Sequence, residues 1–186
     1  MNKVVKWILI SLLILVVLAF AGFQLMKYNT KQHSPEQTVT YTEHGYDIEV
    51  TYSRPFKKGR ELFGSLVPYN EVWRTGANEA TTFNTATDLY IQGQKLPSGD
   101  YTLWTIPGPR EWQVIFNSGH PGWGVGWDSK ASRDPNLDVV TATARVQRNF
   151  MVLEQFTIEI VGHPAELQLG WDFIRVDVPL LMEINQ

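Results

Sequence analysis

The chain has 186 residues, 44% of them apolar, with seven Trp, no Cys and a formal charge of -3. Without Cys there is no disulfide scaffold, no thiolate-held zinc or iron–sulfur site, no cysteine nucleophile and no lipidated anchor. So mild an acidic balance excludes a protein that neutralises phosphates with a basic patch, and no nucleic-acid partner is expected.

The first element is WILISLLILVVLAFAGFQLM, residues 7–26, which carries no charge and only Ser11 and Gln24 as polar residues. At about 1.5 Å per residue, such a helix spans a hydrocarbon core of about 30 Å. Lys3 and Lys6 precede it, and Lys27 and Lys31 follow. The terminal amine tips this balance toward an amino end in the cytoplasm. The alternative is a cleaved signal peptide, with Ala19-Phe20-Ala21 as a small-x-small site, although Phe23, Leu25 and Met26 continue the apolar run beyond it. Either reading exports the remainder. An anchor leaves it periplasmic or at the cell surface, and cleavage makes it a secreted protein. The expected division is 1–26 as transmembrane anchor or signal peptide, 27–37 as a polar tether containing Pro35, and 38–186 as one domain.

Within that domain period-2 alternation recurs, with no long 3.6-residue stripe. Ile48, Val50 and Tyr52 alternate with polar residues until Arg54-Pro55, and Leu89 and Ile91 precede a turn at Gln92-Gly93-Gln94. Pro97-Ser98-Gly99-Asp100 marks a turn before the alternating residues 101–106, and Pro107-Gly108-Pro109 marks another before 112–116. The β-branched run 138–146, the alternation around Phe156, Ile158 and Ile160, and the segments 167–173 and 174–179 complete eight or nine short strands. This pattern predicts an all-β fold: a single antiparallel β-sandwich, jelly-roll or Greek-key-like, behind the N-terminal helix.

Two segments break the alternation. The first, residues 53–82, holds Arg54, Arg60 and Arg74 with Trp73, Asn78 and Glu79. Arginine's planar fork grips carboxylate or phosphate, and Trp offers a flat face to a ring or cation. A loop this long inside a compact domain is unusual without a function. The plainer alternative is that Arg74 and Glu79 pair across the turn at residues 75–78. The runs SRPFKKGR, FGSLVPYNEVWRTGANEAT and KLPSGDYTLWTIP together resemble the DUF2911 family of exported bacterial proteins. The resemblance is strong over residues 47–117 and looser beyond. It implies an all-β exported domain and assigns no activity. Its motif positions here are Ser53, Arg54, Pro55, Gly59, Arg60, Phe63, Gly64, Pro68, Trp73, Arg74, Gly76, Ala77, Asn78, Glu79 and Thr81.

The second segment places Gly119, Gly122, Gly124 and Gly126 around Trp123 and Trp127. Glycine allows close backbone approach, so the indoles can be presented for stacking on a sugar or a partner protein, or can fold back to cap the domain. No βαβ unit surrounds these glycines, which excludes a dinucleotide site. His33, His44, His120 and His163 lack metal-ligand spacing, and neither metal nor cofactor is expected. The expectation is therefore an envelope binding or interaction module whose site comprises Arg54, Arg60, Trp73, Arg74, Asn78, Glu79, Trp123 and Trp127. Its partners are the membrane, through the helix, and a small anionic or sugar ligand or an envelope protein. One alternative is a hydrolase or lyase using Glu79 as acid or base, with Glu71 or Asp128 as second carboxylate and Arg74 stabilising negative charge. The other is a purely structural envelope protein.

Overall fold

The computed structural model describes residues 2–182, so the last residues of the expected domain, 183–186, lie outside the description. The chain forms two compact units, residues 1–33 and 34–186. The first is the helix α1, Lys3–His33, none of whose residues is buried. It is long and apolar enough to cross a membrane by length and composition, with a mean hydropathy of 2.8 over its most apolar window. Such an N-terminal helix is of the kind that serves as signal anchor or signal peptide. Residues 27–33, read as tether, continue the helix instead. A helix already nucleated extends cheaply through polar residues. It ends because Ser34 precedes Pro35 and is held out of the helical region.

In the second unit every pairing between named strands is antiparallel. Its strands are β1 (Glu36–Tyr41), β2 (Ile48–Ser53), β3 (Thr81–Thr85), β4 (Leu89–Ile91), β5 (Gln94–Leu96), β6 (Gly99–Ile106), β7 (Glu111–Asn117), β8 (Asp138–Arg145), β9 (Gln147–Val161) and β10 (Ala165–Leu180). One six-stranded sheet runs β1-β2-β3-β6-β7-β8, while β9 pairs with β10 and β4 with β5. Within the six-stranded sheet the order rises along the chain. It is a meander that detours through the β4–β5 hairpin, and not the Greek-key or jelly-roll order expected from the strand count.

Alternation explains how the core assembles. Phe83, Leu103, Val114, Phe116, Val140 and Ala142 project from one face of the large sheet. They meet Leu89, Ile91 and Leu96 of the small hairpin, and Phe156, Ile158, Leu167, Leu169, Val176 and Val178 of β9 and β10. Tyrosines bolt the layers together: the Tyr46 hydroxyl donates to Leu180 O at 2.8 Å, and Ile158 N donates to the Tyr52 hydroxyl at 2.8 Å. The β4–β5 turn has Gln92 and Gly93 in the left-handed region, as a two-residue hairpin requires. Gln92 also shields the exposed edge of β8, donating to Thr143 O at 2.6 Å and accepting from Thr143 N at 3.0 Å.

Candidate functional site

Trp73 joins β6 two positions beyond the point where β3 begins. Its N–H donates to Thr105 O at 2.7 Å and its carbonyl accepts from Thr105 N at 3.0 Å, whereas Thr81 pairs with Leu103. Residues 74–80 therefore stand opposite a single β6 residue, Trp104, and must leave the sheet. They cross its outer face, where Ala80 packs with the fully buried Trp104 and Ile115. Three residues of the excursion adopt left-handed backbone: Thr75 (φ 55°), Gly76 (φ 147°) and Asn78 (φ 60°). Thr75 is β-branched and fully buried, a combination that costs about 1–3 kcal/mol and persists only when the surroundings enforce it. Its hydroxyl donates to Thr105 Oγ1 at 3.2 Å, and its carbonyl accepts from Thr81 Oγ1 at 2.7 Å. At Gly76 a Cβ would meet Ser53 O at 2.8 Å, so no other residue fits the closest approach to β2.

The second irregular segment, between β7 and β8, lies against this excursion. Ala80 N donates to Gly122 O at 3.1 Å, Gly124 N donates to Asn78 O at 2.9 Å, and Glu79 forms an antiparallel bridge with Trp123. A polar chain roots the loop in the sheet: Trp104 Nε1 donates to Thr102 Oγ1, which donates to Gly119 O, both at 2.8 Å. At the far end Asp138 accepts from Arg133 Nε at 2.9 Å and from Asn117 Nδ2 at 2.7 Å, and a second Arg133–Asp138 contact makes the pair bidentate. Burial raises the Asp138 pKa, but the hydrogen bonds from Arg133 and Asn117 outweigh it and hold the carboxyl below its ordinary value.

Two donors of this paired-loop structure are left over. The stem of Arg74 lies directly on Gly124, where a Cβ would fall 2.4 Å from Arg74 Cδ and 2.8 Å from Arg74 Cβ. Arg74 Nε is buried with no hydrogen-bond partner, and burial pulls the guanidinium's pKa below its ordinary value. Asn78 is 9% exposed, and its Nδ2 likewise has no partner. Native structures seldom leave such groups unmatched, because each costs about 1–3 kcal/mol.

The sequence-derived site thus divides. Arg74, Asn78, Glu79 and Trp123 come together on the paired loops. Trp73 faces the main core, stacked on Trp171 (6.0 Å, 10°) and edge-on to Phe63, Trp112 and Phe156. Arg54 joins β2 to β9 by donating to Phe156 O at 3.1 Å and Thr157 Oγ1 at 2.9 Å. Arg60 folds onto its own turn, donating to Phe56 O and Lys57 O. Trp127 is fully exposed at the tip of the second loop, and Asp128 accepts from Lys130 N within that tip. Glu71 is exposed. Sequence reasoning passed over Trp104, Thr75, Asn117, Arg133 and Asp138. Only Asn117, a strand-ending Asn before Gly119, carried a local signal. Among the described residues no group of three or more His, Cys, Asp or Glu is placed to hold a metal ion.

No curated protein and no solved structure is significantly similar to the chain. A family model described as a protein of unknown function matches residues 34–180, which begins where the helix ends and takes in all ten strands. The chain belongs to the DUF2911 family.

Proposed function

We propose that residues 34–182 form an exported β-sandwich, tethered to the membrane by α1, that acts as a binding module. Its ligand is a small molecule presenting anionic oxygens, a carboxylate or a phosphate, to Arg74 and Asn78. One observation carries this reading: the two buried nitrogens without partners, Arg74 Nε and Asn78 Nδ2, lie on the same excursion. An oxyanion would supply both acceptors and return a counter-charge to a guanidinium that burial has disfavoured. The backbone strain at Thr75 is consistent with a segment shaped for a ligand. Trp123, half-buried beside Glu79, supplies an adjacent apolar surface.

The test is thermal unfolding of the full chain in detergent with inorganic phosphate, acetate and glucuronate. A ligand at 100 times its Kd adds about 2.7 kcal/mol to the folded state. Arg74→Ala and Asn78→Ala are expected to remove the shift. Equal shifts in wild type and both variants would refute the site. Chemical change of a stabilising ligand, abolished by Glu79→Gln, would favour the enzymatic alternative.

A further inference from the structure

A different surface points to the bilayer. β9 and β10 pair evenly from the hairpin as far as Thr157 and Gly170, then lose register. Leu153 faces Asp172 and Arg148 faces Ile174, so residues 149–152 stand opposite Phe173 alone and bulge outward. At the bulge Phe150 and Met151 are 104% and 79% exposed, and Val152 is exposed as well. An apolar tip of this kind is costly in water and ordinary at a lipid interface.

Its position in the domain says what covers it. Tyr41, at the end of β1, bonds to Gly162 at the β9–β10 turn. At the beginning of β1, Pro35 O accepts from Arg54 N, and Arg54 bonds to Phe156 and Thr157. Travelling down β9 from Gly162 toward Phe156 is therefore travelling toward the chain's entry into the domain. Residues 155–149 continue in that direction at about 3.3 Å each. Only Ser34 and Pro35 separate this entry from the last residue of α1. Basic residues flank the tip. The turn at 57–60 is bonded to Glu154 through Lys57 N and Lys58 N, and it exposes Lys58 and Arg60. Arg148, also exposed, lies over the Phe173 ring at 5.1 Å. Apolar tip and cationic rim suit acyl chains and phosphate headgroups respectively.

We infer that residues 149–152, with Lys58, Arg60 and Arg148 around them, form a foot that dips into the surface of the bilayer spanned by α1. This rests on the reading of α1 as a retained anchor, and the experiment separates the two.

The chain has no Cys, so single Cys substitutions can carry a nitroxide without further changes. Full-length protein labelled at Leu15→Cys, Phe150→Cys, Met151→Cys or Val161→Cys is reconstituted into phosphatidylcholine–phosphatidylglycerol vesicles. Relaxation by oxygen, which concentrates in lipid, is compared with relaxation by an aqueous nickel chelate. Positions 150 and 151 are expected to favour oxygen, as position 15 does, and position 161 at the far end of β9 to favour nickel. All three domain positions are exposed, so the labels displace no core. Nickel-favoured relaxation at 150 and 151 with position 15 in lipid would overturn the foot and leave the anchor standing. Position 15 in water would overturn both. Spin–spin broadening between labels at 150 on separate chains would identify a second copy as the occupant and overturn the inference.

Discussion

Replacing Gly124 by Ala should loosen the paired loops by forcing Arg74 off their surface. Gly124 does not have positive φ, so the backbone tolerates a side chain and the cost is steric alone. The new Cβ would lie 2.4, 2.8 and 3.1 Å from Arg74 Cδ, Cβ and Cγ. The flexible Cδ and Cγ can swing aside. Arg74 Cβ cannot, because the neighbouring Trp73 backbone is locked to Thr105 by two hydrogen bonds. Nor can Gly124 retreat freely, since its N–H donates to Asn78 O at 2.9 Å and its carbonyl accepts from Ser132 N at 3.2 Å. Overpacking of this kind costs about 1–3 kcal/mol. In a unit of this size that lowers Tm by about 2–4 °C per kcal/mol. Urea unfolding followed by Trp fluorescence measures it. Arg74→Ala in the Gly124→Ala background should restore only part of the loss, because the 2.8 Å Cβ contact remains. An unchanged midpoint in Gly124→Ala, or full rescue in the double variant, would refute the steric account.

Trp73→Ala should cost about 3–5 kcal/mol by opening a hole among Phe63, Trp112, Phe156 and Trp171, whereas Trp127→Ala should stay within about 0.5 kcal/mol, both read by urea denaturation. Arg54→Ala should lower the unfolding midpoint by about 1.5–3 kcal/mol of stability, since a charged donor that ties β2 to β9 is lost. The depressed Asp138 pKa means that the unfolded chain binds this proton more readily than the folded one. Its stabilisation is therefore complete above the unfolded value of about 3.9 and is lost as pH falls through the folded pKa. Asp138→Asn should accordingly unfold with a shallower acid limb than wild type in a pH series of thermal melts.

Where a segment's partners are nearby in sequence, the residues alone carried the structure. The helix needed only a run of apolar residues. Strands β2, β4, β6 and β7 announced themselves by alternation between turn residues, and β8 by its β-branched run. β1 did not, because Glu36–Tyr41 is half exposed and its polar start reads as linker. β3 hid inside the motif segment, since Thr81–Thr85 shows its buried face through two Thr and one Phe. The candidate site was legible in part for the same reason. Unusual residues between strands marked both loops, but nothing local told which Arg would be consumed by structure. Arg54 and Arg60 are the same residue type as Arg74, but backbone carbonyls reach them.

The sequence by itself determined an N-terminal apolar helix, an antiparallel β domain, the family, and two irregular segments rich in Arg, Trp and Gly. These follow from short-range periodicity and from residue types whose conformational demands are local. Tertiary structure alone decided that the two segments pair with each other across Trp104, that Trp73 faces inward and Trp127 outward, and that Arg74 and Asn78 keep unspent donors. Those outcomes depend on strand register, and on which carbonyls arrive from about a hundred residues away, as Phe156 does for Arg54. One residue of slip would have turned each side chain to the opposite face.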